Sequence, residues 1–199
     1  MRRFWQMLAH YHAQVWNGAE FARAFGVSAP TVRHYLDLLT GAFAVRQLQP
    51  WHENISKRQV RAPKVYLSDS GVLHTLLDVE SAHDLLGHPK VGASWEGFII
   101  EQIIAELSLE EEQRYFWATH AGAELDLFVP GRRRLGFEIK RTDAPEVSHS
   151  MRIARTDLEL DELIVVHAGT ALLSTDRGHS RRLRATDRRR APSACVMTS

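Results

Sequence analysis

The sequence holds a single cysteine, Cys195, in 199 residues. An internal disulfide is therefore excluded, and a thiolate-rich zinc cluster has no ligands to draw on. No apolar run approaches the roughly 18 residues that a membrane span needs, and Met1-Arg2-Arg3 leads into no signal-peptide core, so a cytoplasmic location without membrane contact is expected. Three catalytic signatures are missing as well: G-x-x-x-x-G-K-[ST] for nucleotide phosphates, H-E-x-x-H for zinc, and Gly-x-Ser-x-Gly for a covalent hydrolase. His10, His12, His83, His88, His120 and His149 are scattered and flank no cysteine; most of them read as solvated residues, with His120 alone near enough to the later hairpin to contact DNA. ATP hydrolysis, zinc chemistry and acyl-enzyme chemistry all lack support in this chain.

Charge is unevenly spread. Residues 1–70 carry nine Lys/Arg against four Asp/Glu, residues 71–176 nine against nineteen, and residues 177–199 seven against one. A basic front beside an acidic body predicts two units with different partners, although surface charge also drifts along chains without functional cause. The last stretch, with six arginines among residues 181–199, reads as a basic disordered tail over 177–199. Two readings stand for it: a non-specific nucleic-acid contact, or the product of a shifted reading frame.

What the chain does have is a pair of alternating hexamers, Glu124-Leu125-Asp126-Leu127-Phe128-Val129 and Leu135-Gly136-Phe137-Glu138-Ile139-Lys140. Alternation of apolar and polar residues is the pattern of a half-buried strand. Pro130-Gly131-Arg132-Arg133-Arg134 between them supplies the breakers of a hairpin loop. Pairing symmetric about Arg132 sets Val129 against Leu135, Leu127 against Phe137 and Asp126 against Glu138. One face is then apolar, and the other carries Glu124, Asp126, Glu138 and Lys140. Two carboxylates opposite one another repel; a divalent cation between them, helped by the lysine, removes that repulsion. The hairpin is a candidate metal site for phosphate chemistry.

Upstream, Phe4, Leu8, Tyr11 and Val15 follow helical spacing and predict a helix over Phe4 to Val15. Asn17 can cap a second helix that Gly26 ends, and Ser28 can cap a third with Pro30 in its first turn. Small Ala22, turn-forming Gly26 and apolar Val32 match a helix-turn-helix. Strands over Val45–Leu48 and Lys64–Leu67 flank a polar loop with Lys57, Arg58 and Arg61, which completes a winged-helix layout over residues 1–80. Ser28, Thr31, Arg33 and His34 at the start of the third helix, with Lys57, Arg58 and Arg61 on the wing, are the candidate DNA-binding residues. Such layouts also serve as protein–protein modules. Asp69, in Ser68-Asp69-Ser70-Gly71, reads as a helix cap rather than a catalytic group.

After the Gly87-His88-Pro89 breaker, Ser94 can cap a helix whose stripe runs through Trp95, Phe98, Ile99, Gln102, Ile103 and Glu106. Tyr115-Phe116-Trp117 predicts a strand, Asp157 to Leu160 the end of a further helix, and Leu163 to His167 a central buried strand. Glu96, Asp126, Glu138 and Lys140 then stand in the order and spacing of a PD-(D/E)xK nuclease, with gaps of 30, 12 and 2 residues. The expected fold class is α/β: an N-terminal winged helix-turn-helix followed by a restriction-endonuclease-like α/β/α core with a mixed central sheet over residues 88–176.

The ordered motifs SAPTVRHYLDLL, KRQVRAPKVYLSDSGVLHTLL, HPKVGASWEGFIIEQI, YFWATHAGAELDLFV and GFEIKRTDAPE resemble one prokaryotic module from about Phe4 to Thr175. It is the domain of unknown function that follows the P-loop module in a large group of AAA-superfamily ATPases. The resemblance implies a winged helix fused to a restriction-endonuclease-like domain, and an ATPase module as a partner in trans, since this chain carries no P-loop of its own. Similar sequences often place an arginine where this chain has Ala118, which predicts a weaker grip on a substrate phosphate.

The expected chemistry is phosphodiester hydrolysis assisted by Mg²⁺ or Mn²⁺. Asp126 and Glu138 bind the ion, with the Ile139 carbonyl able to join them and Glu96 reaching in from its helix. The ion lowers the pKa of its bound water. Lys140 orients the nucleophile or offsets transition-state charge, and Glu124 stands just behind the ligands on the same face. The alternative is a non-catalytic DNA-binding or regulatory module acting with an ATPase; in either case DNA is the expected partner, and a homo-oligomer is a second arrangement open to the chain.

Overall fold

Asn17 and Ser28, the two caps expected from the sequence, both open helices in the computed structural model, which describes residues 2–52, 59–142, 145–168 and 195–198. The chain divides into two compact units, Met1–Gln49 with Ala62–Phe98, and Pro50–Arg61 with Ile99–Ser199.

Unit 1 contains α1 (Arg2–His10), β1 (Gln14–Val15), α2 (Gly18–Phe25), α3 (Ala29–Gly41), β2 (Val45–Pro50), β3 (Lys64–Leu67), α4 (Ser70–Leu76), α5 (Ala82–Gly87) and the first half of α6 (Val91–Glu106). The Asn17 side chain accepts from Glu20 N–H, and Gly26 ends α2 at φ 64°, a left-handed turn that glycine takes without steric cost. Ser28 accepts from Thr31 N–H with a proline in the first turn of α3. Asp69 caps α4 by accepting from Val72 N–H at 2.7 Å, the role expected of it. Phe21 is fully buried at the middle of the core, with the rings of Phe4, Tyr11 and Trp16 at 5.5, 5.0 and 4.4 Å. Truncating such a residue typically costs about 3–5 kcal/mol.

Three expectations for this unit need correction. The first helix stops at His10 rather than running to Val15: Ala13 turns the chain at φ 62°, its N–H bonds to the Val65 carbonyl, and Gln14 and Val15 pair with β3 instead. Sheet pairing there outweighs helical spacing. β3 consequently lies between β1 and β2, antiparallel to both. Second, α6 starts at Val91, so Ser94 lies inside it and bonds to His74 Nε2 at 2.7 Å rather than capping. The buried stripe takes Ile100 and Ile104, while Gln102 and Glu106 are exposed. Third, His12 is buried, not solvated, and its Nδ1 accepts from Leu67 N–H at 3.0 Å.

Unit 2 is built on β4 (Tyr115–Ala118), β5 (Glu124–Val129), β6 (Leu135–Lys140), α7 (His149–Asp157), β7 (Glu162–His167) and β8 (Cys195–Thr198). These strands lie side by side in the order β4-β5-β6-β7-β8. Every neighbouring pair is antiparallel except β6 and β7, which are parallel because α7 provides the crossover between them. The sheet is mixed, and β7 is an interior strand as its apolar run suggests. Trp117, Leu125, Phe128, Leu163 and Val165 form one cluster with Met151, Ala154 and Leu158 of α7 and the turn after it. β8 corrects the disordered-tail expectation for Cys195–Thr198; residues 169–194 and 199 lie outside the described residues. No helix among the described residues is long and apolar enough to cross a membrane.

Candidate functional site

The two hexamers form β5 and β6 with the boundaries expected from the sequence, and Leu127↔Phe137 and Val129↔Leu135 pair in the predicted register. That ladder stops at Leu127. On its other edge, β5 pairs with β4 as Tyr115↔Phe128 and then Trp117↔Leu125, so two steps along β4 match three along β5. β5 therefore carries one extra residue between Leu125 and Phe128, a bulge with Asp126 in it. Bulges of this kind bend a strand and re-aim a side chain. Here Asp126 Oδ2 accepts the Ile139 N–H at 2.7 Å, so a side chain meets an amide of the neighbouring strand.

Asp126 is 5% exposed and Glu138 4%. Both carboxylates are thus inside the protein, and the expected division into one apolar and one polar face does not hold: Phe128 is fully buried too, packed with α7. Covering the second face of the sheet with a helix is what buries it. Lys140 Nζ sits 2.6 Å from Glu138 Oε1. Burial works to lower the Lys140 ammonium, but the bonded Glu138 carboxylate, with Asp126 and Glu124 nearby, outweighs it and holds the group above its ordinary value. Lys140 therefore feels Glu138, Asp126 and Glu124 together.

Ser150, in the first turn of α7, escapes a reading of the sequence. Its hydroxyl accepts from Glu124 N–H at 2.6 Å and donates to the Glu124 carbonyl at 2.8 Å, tying the start of β5 to the start of the helix. Two serines around a helix start, Ser148 and Ser150, are the available signal. Ala118 is buried opposite Glu124, and His120 in the adjoining turn is exposed. Among the described residues no group of three or more His, Cys, Asp or Glu side chains is placed to hold a metal ion.

Glu96 belongs to unit 1, where the Tyr66 hydroxyl donates to its Oε1 at 2.7 Å and Lys64 Nζ lies 3.3 Å from the same oxygen. Neither partner stands out in the sequence; their alternation on the strand Lys64-Val65-Tyr66-Leu67 is the only hint. Of the candidate DNA-binding residues, Ser28, Thr31, Arg33 and His34 fall together on the first half of α3, with Ser28, Arg33 and His34 exposed. Ser28 and Thr31 bond to one another at 2.8 Å, and Arg33 is held by Asp37 one turn on at 3.0 Å. Arg61 is exposed. Lys57 and Arg58 lie outside the described residues.

Residues 1–83 match the model of a domain of unknown function (DUF8612), and residues 91–184 match that of another (DUF4143). Over 170 residues, 85% of the chain, the sequence is 52% identical to the uncharacterized protein Rv2008c of Mycobacterium tuberculosis and, to the same degree, to the uncharacterized protein Mb2031c of Mycobacterium bovis. Those matches take in 38% of each relative, so the chain spans well under half the length of the curated relatives it matches. No solved structure matches the chain.

Proposed function

We propose that the chain acts on DNA, with unit 2 hydrolysing phosphodiester bonds in the presence of Mg²⁺ or Mn²⁺ and unit 1 gripping the duplex. One observation carries this reading: two buried carboxylates, Asp126 and Glu138, stand on neighbouring strands with an ammonium, Lys140, bonded to one of them. Buried charge is costly unless it is partnered, and a fold seldom gathers several charged groups in one spot without a use for them. Magnesium is commonly held by one or two carboxylates, with waters and substrate oxygens filling the octahedron. Asp126 and Glu138, with the Ile139 carbonyl, fit such an ion, although among the described residues no third carboxylate or histidine joins them. When bound, the ion would supply hydroxide near neutral pH.

The protein's own groups have separate tasks in this reading. The bulge aims Asp126, and its bond to Ile139 N–H keeps the carboxylate in one orientation. Lys140 is half-exposed, able to meet a phosphate oxygen while it offsets Glu138. Glu124 and Ser150 brace the entrance to β5. Glu96 enters the proposal through its sequence position thirty residues before Asp126. Unit 1 is read as a winged helix-turn-helix on the α2–turn–α3 pair and the β1-β3-β2 sheet, and unit 2 as restriction-endonuclease-like on its mixed sheet crossed by α7.

A second reading has its own support, because the chain spans only 38% of its relatives' length. In that reading it is a DNA-binding or regulatory module for an AAA-type ATPase portion, present in trans or in a longer protein. Incubating wild type, Asp126→Ala and Lys140→Ala with linear, single-stranded and branched DNA in Mg²⁺ or Mn²⁺ separates the two. Cutting that needs the ion and disappears in both variants supports hydrolysis. Salt-sensitive binding without cutting in all three proteins leaves the regulatory module.

A further inference from the structure

Arg33 is held through its Nε alone. That N–H faces both oxygens of Asp37 one turn on, at 3.0 Å from Oδ1 and 3.2 Å from Oδ2. Among the described residues no protein acceptor bonds to Nη1 or Nη2, and the Arg33 side chain keeps 51% of its surface exposed. The carboxylate is held in its turn. Gln47 Nε2, on β2, donates to Asp37 Oδ1 at 3.1 Å and to Thr40 Oγ1 at 3.0 Å, and Thr40 is fixed by donating to the Leu36 carbonyl at 2.9 Å. A strand residue thus steadies an acid on the helix, and the acid steadies the arginine while leaving its two end nitrogens available. All of these groups belong to unit 1.

Helix stability does not explain this arrangement. Exposed ion pairs contribute little, and the favourable order along a helix places the acid before the base, whereas here Arg33 precedes Asp37. Neither residue fills the core, since the Asp37 side chain is itself 50% exposed. What the bonds do is fix a guanidinium in advance, which lowers the entropy cost of a contact it makes later. Arg33 stands in the first half of α3, on the exposed strip that also carries Pro30, His34 and Asp37. An arginine pinned at Nε presents Nη1 and Nη2 as a fork of donors. Such a fork suits a phosphate or the O6 and N7 acceptors of guanine in the major groove. The Asp37 carboxylate decides between them: it cancels the positive charge that attracts a phosphate, yet leaves the donors that a neutral base requires.

We infer that Arg33 reads a guanine in duplex DNA, donating from Nη1 and Nη2 to its O6 and N7, and that Asp37 and Gln47 are positioning residues that hold the guanidinium for this contact. Adenine sets an amino donor beside its N7, so the same fork meets a donor there and rejects it. The inference rests on the reading of unit 1 as the part that grips the duplex and adds to it the base that is recognised.

The test uses the full chain in EDTA, which keeps cleavage out of the binding measurement, and a pool of duplexes with a randomised window. Wild type should enrich duplexes with one invariant G·C pair. On such a duplex Arg33→Ala should raise Kd about tenfold or more and lose the preference for G·C over A·T at that pair. Arg33→Lys keeps the charge but not the fork, so it should not restore the preference. A guanine analogue with carbon in place of N7 should weaken wild type and leave Arg33→Ala unchanged. Asp37→Asn separates positioning from charge. Loss of a negative charge near DNA by itself predicts tighter binding to every duplex, whereas loss of positioning predicts a smaller ratio between the G·C duplex and its A·T counterpart. Binding with no preference for G·C at any position, or a preference that survives unchanged in Arg33→Ala and Asp37→Asn, would overturn the inference while leaving the DNA-gripping reading of unit 1 standing. A wild-type chain that binds no duplex would remove that reading, and the inference with it.

Discussion

Each unit contains a lysine–glutamate pair, and the two are built the opposite way round. In unit 1 the ammonium of Lys64 is the buried partner, 4% exposed, and Glu96 faces outward at 18%. In unit 2 the carboxylate of Glu138 is the buried partner, 5% exposed, and Lys140 faces outward at 44%. The charges are the same, but the direction of burial is reversed: one pair turns its carboxylate toward solvent and the other its ammonium. Under the proposed function, the outward ammonium of Lys140 is the group able to meet a phosphate. The ion-pair distance alone, 3.3 Å against 2.6 Å, does not reveal this difference.

Removing each lysine in turn should set the two pairs apart. Lys140→Ala is expected to lower cleavage about 10²–10³-fold and to cost about 3 kcal/mol in urea unfolding, because it leaves the buried Glu138 carboxylate without its ammonium. Lys64→Met should cost less in the same experiment, since it removes the buried charge itself and leaves Glu96 part-exposed and bonded to Tyr66. Equal stability losses in the two variants would contradict the opposite directions of burial.

The units should also part company in acid. Burial, followed by the nearby Lys90 charge, pushes the His12 imidazole down to about 4. Unfolded, the ring titrates near 6.5, so between these values the unfolded chain binds a proton that the folded chain does not. Stability must then rise with pH across that window and fall as acid is added, by on the order of 2–3 kcal/mol. His12→Asn keeps an acceptor for Leu67 N–H and should flatten that slope; an unchanged slope would place the titration elsewhere. The smallest effects should come from the caps, with Asn17→Ala or Asp69→Ala costing about 1 kcal/mol each in thermal or urea unfolding.

Legibility in the sequence follows the range of the interaction involved. The caps at Asn17, Ser28 and Asp69, the turn at Gly26 and the two hexamers of the hairpin depend on neighbours a few residues away, and all are readable. What depends on distant partners is not. Val15 keeps helical spacing with Leu8 and Tyr11, yet it joins a strand because β3, about fifty residues on, offers hydrogen bonds. His12 looks like a surface residue until Leu67 and Gly97 close around it. At the site, the carboxylates and the lysine are visible as strand alternation, but the extra residue in β5 is not, because a bulge changes the pairing without changing the pattern. Tyr66 and Lys64 stay hidden for a related reason: nothing near them in the chain points to Glu96.

Whether the hairpin holds a metal ion can be read by replacing Mg²⁺ with Fe²⁺ and letting ascorbate and peroxide cut the polypeptide wherever that ion sits. An ion held by Asp126 and Glu138 gives backbone cuts within Glu124–Val129 and Leu135–Lys140 of the wild-type chain, suppressed by excess Mg²⁺ and absent in Asp126→Asn. Cuts that spare both strands, or that persist unchanged in Asp126→Asn, would contradict a metal centre on the hairpin.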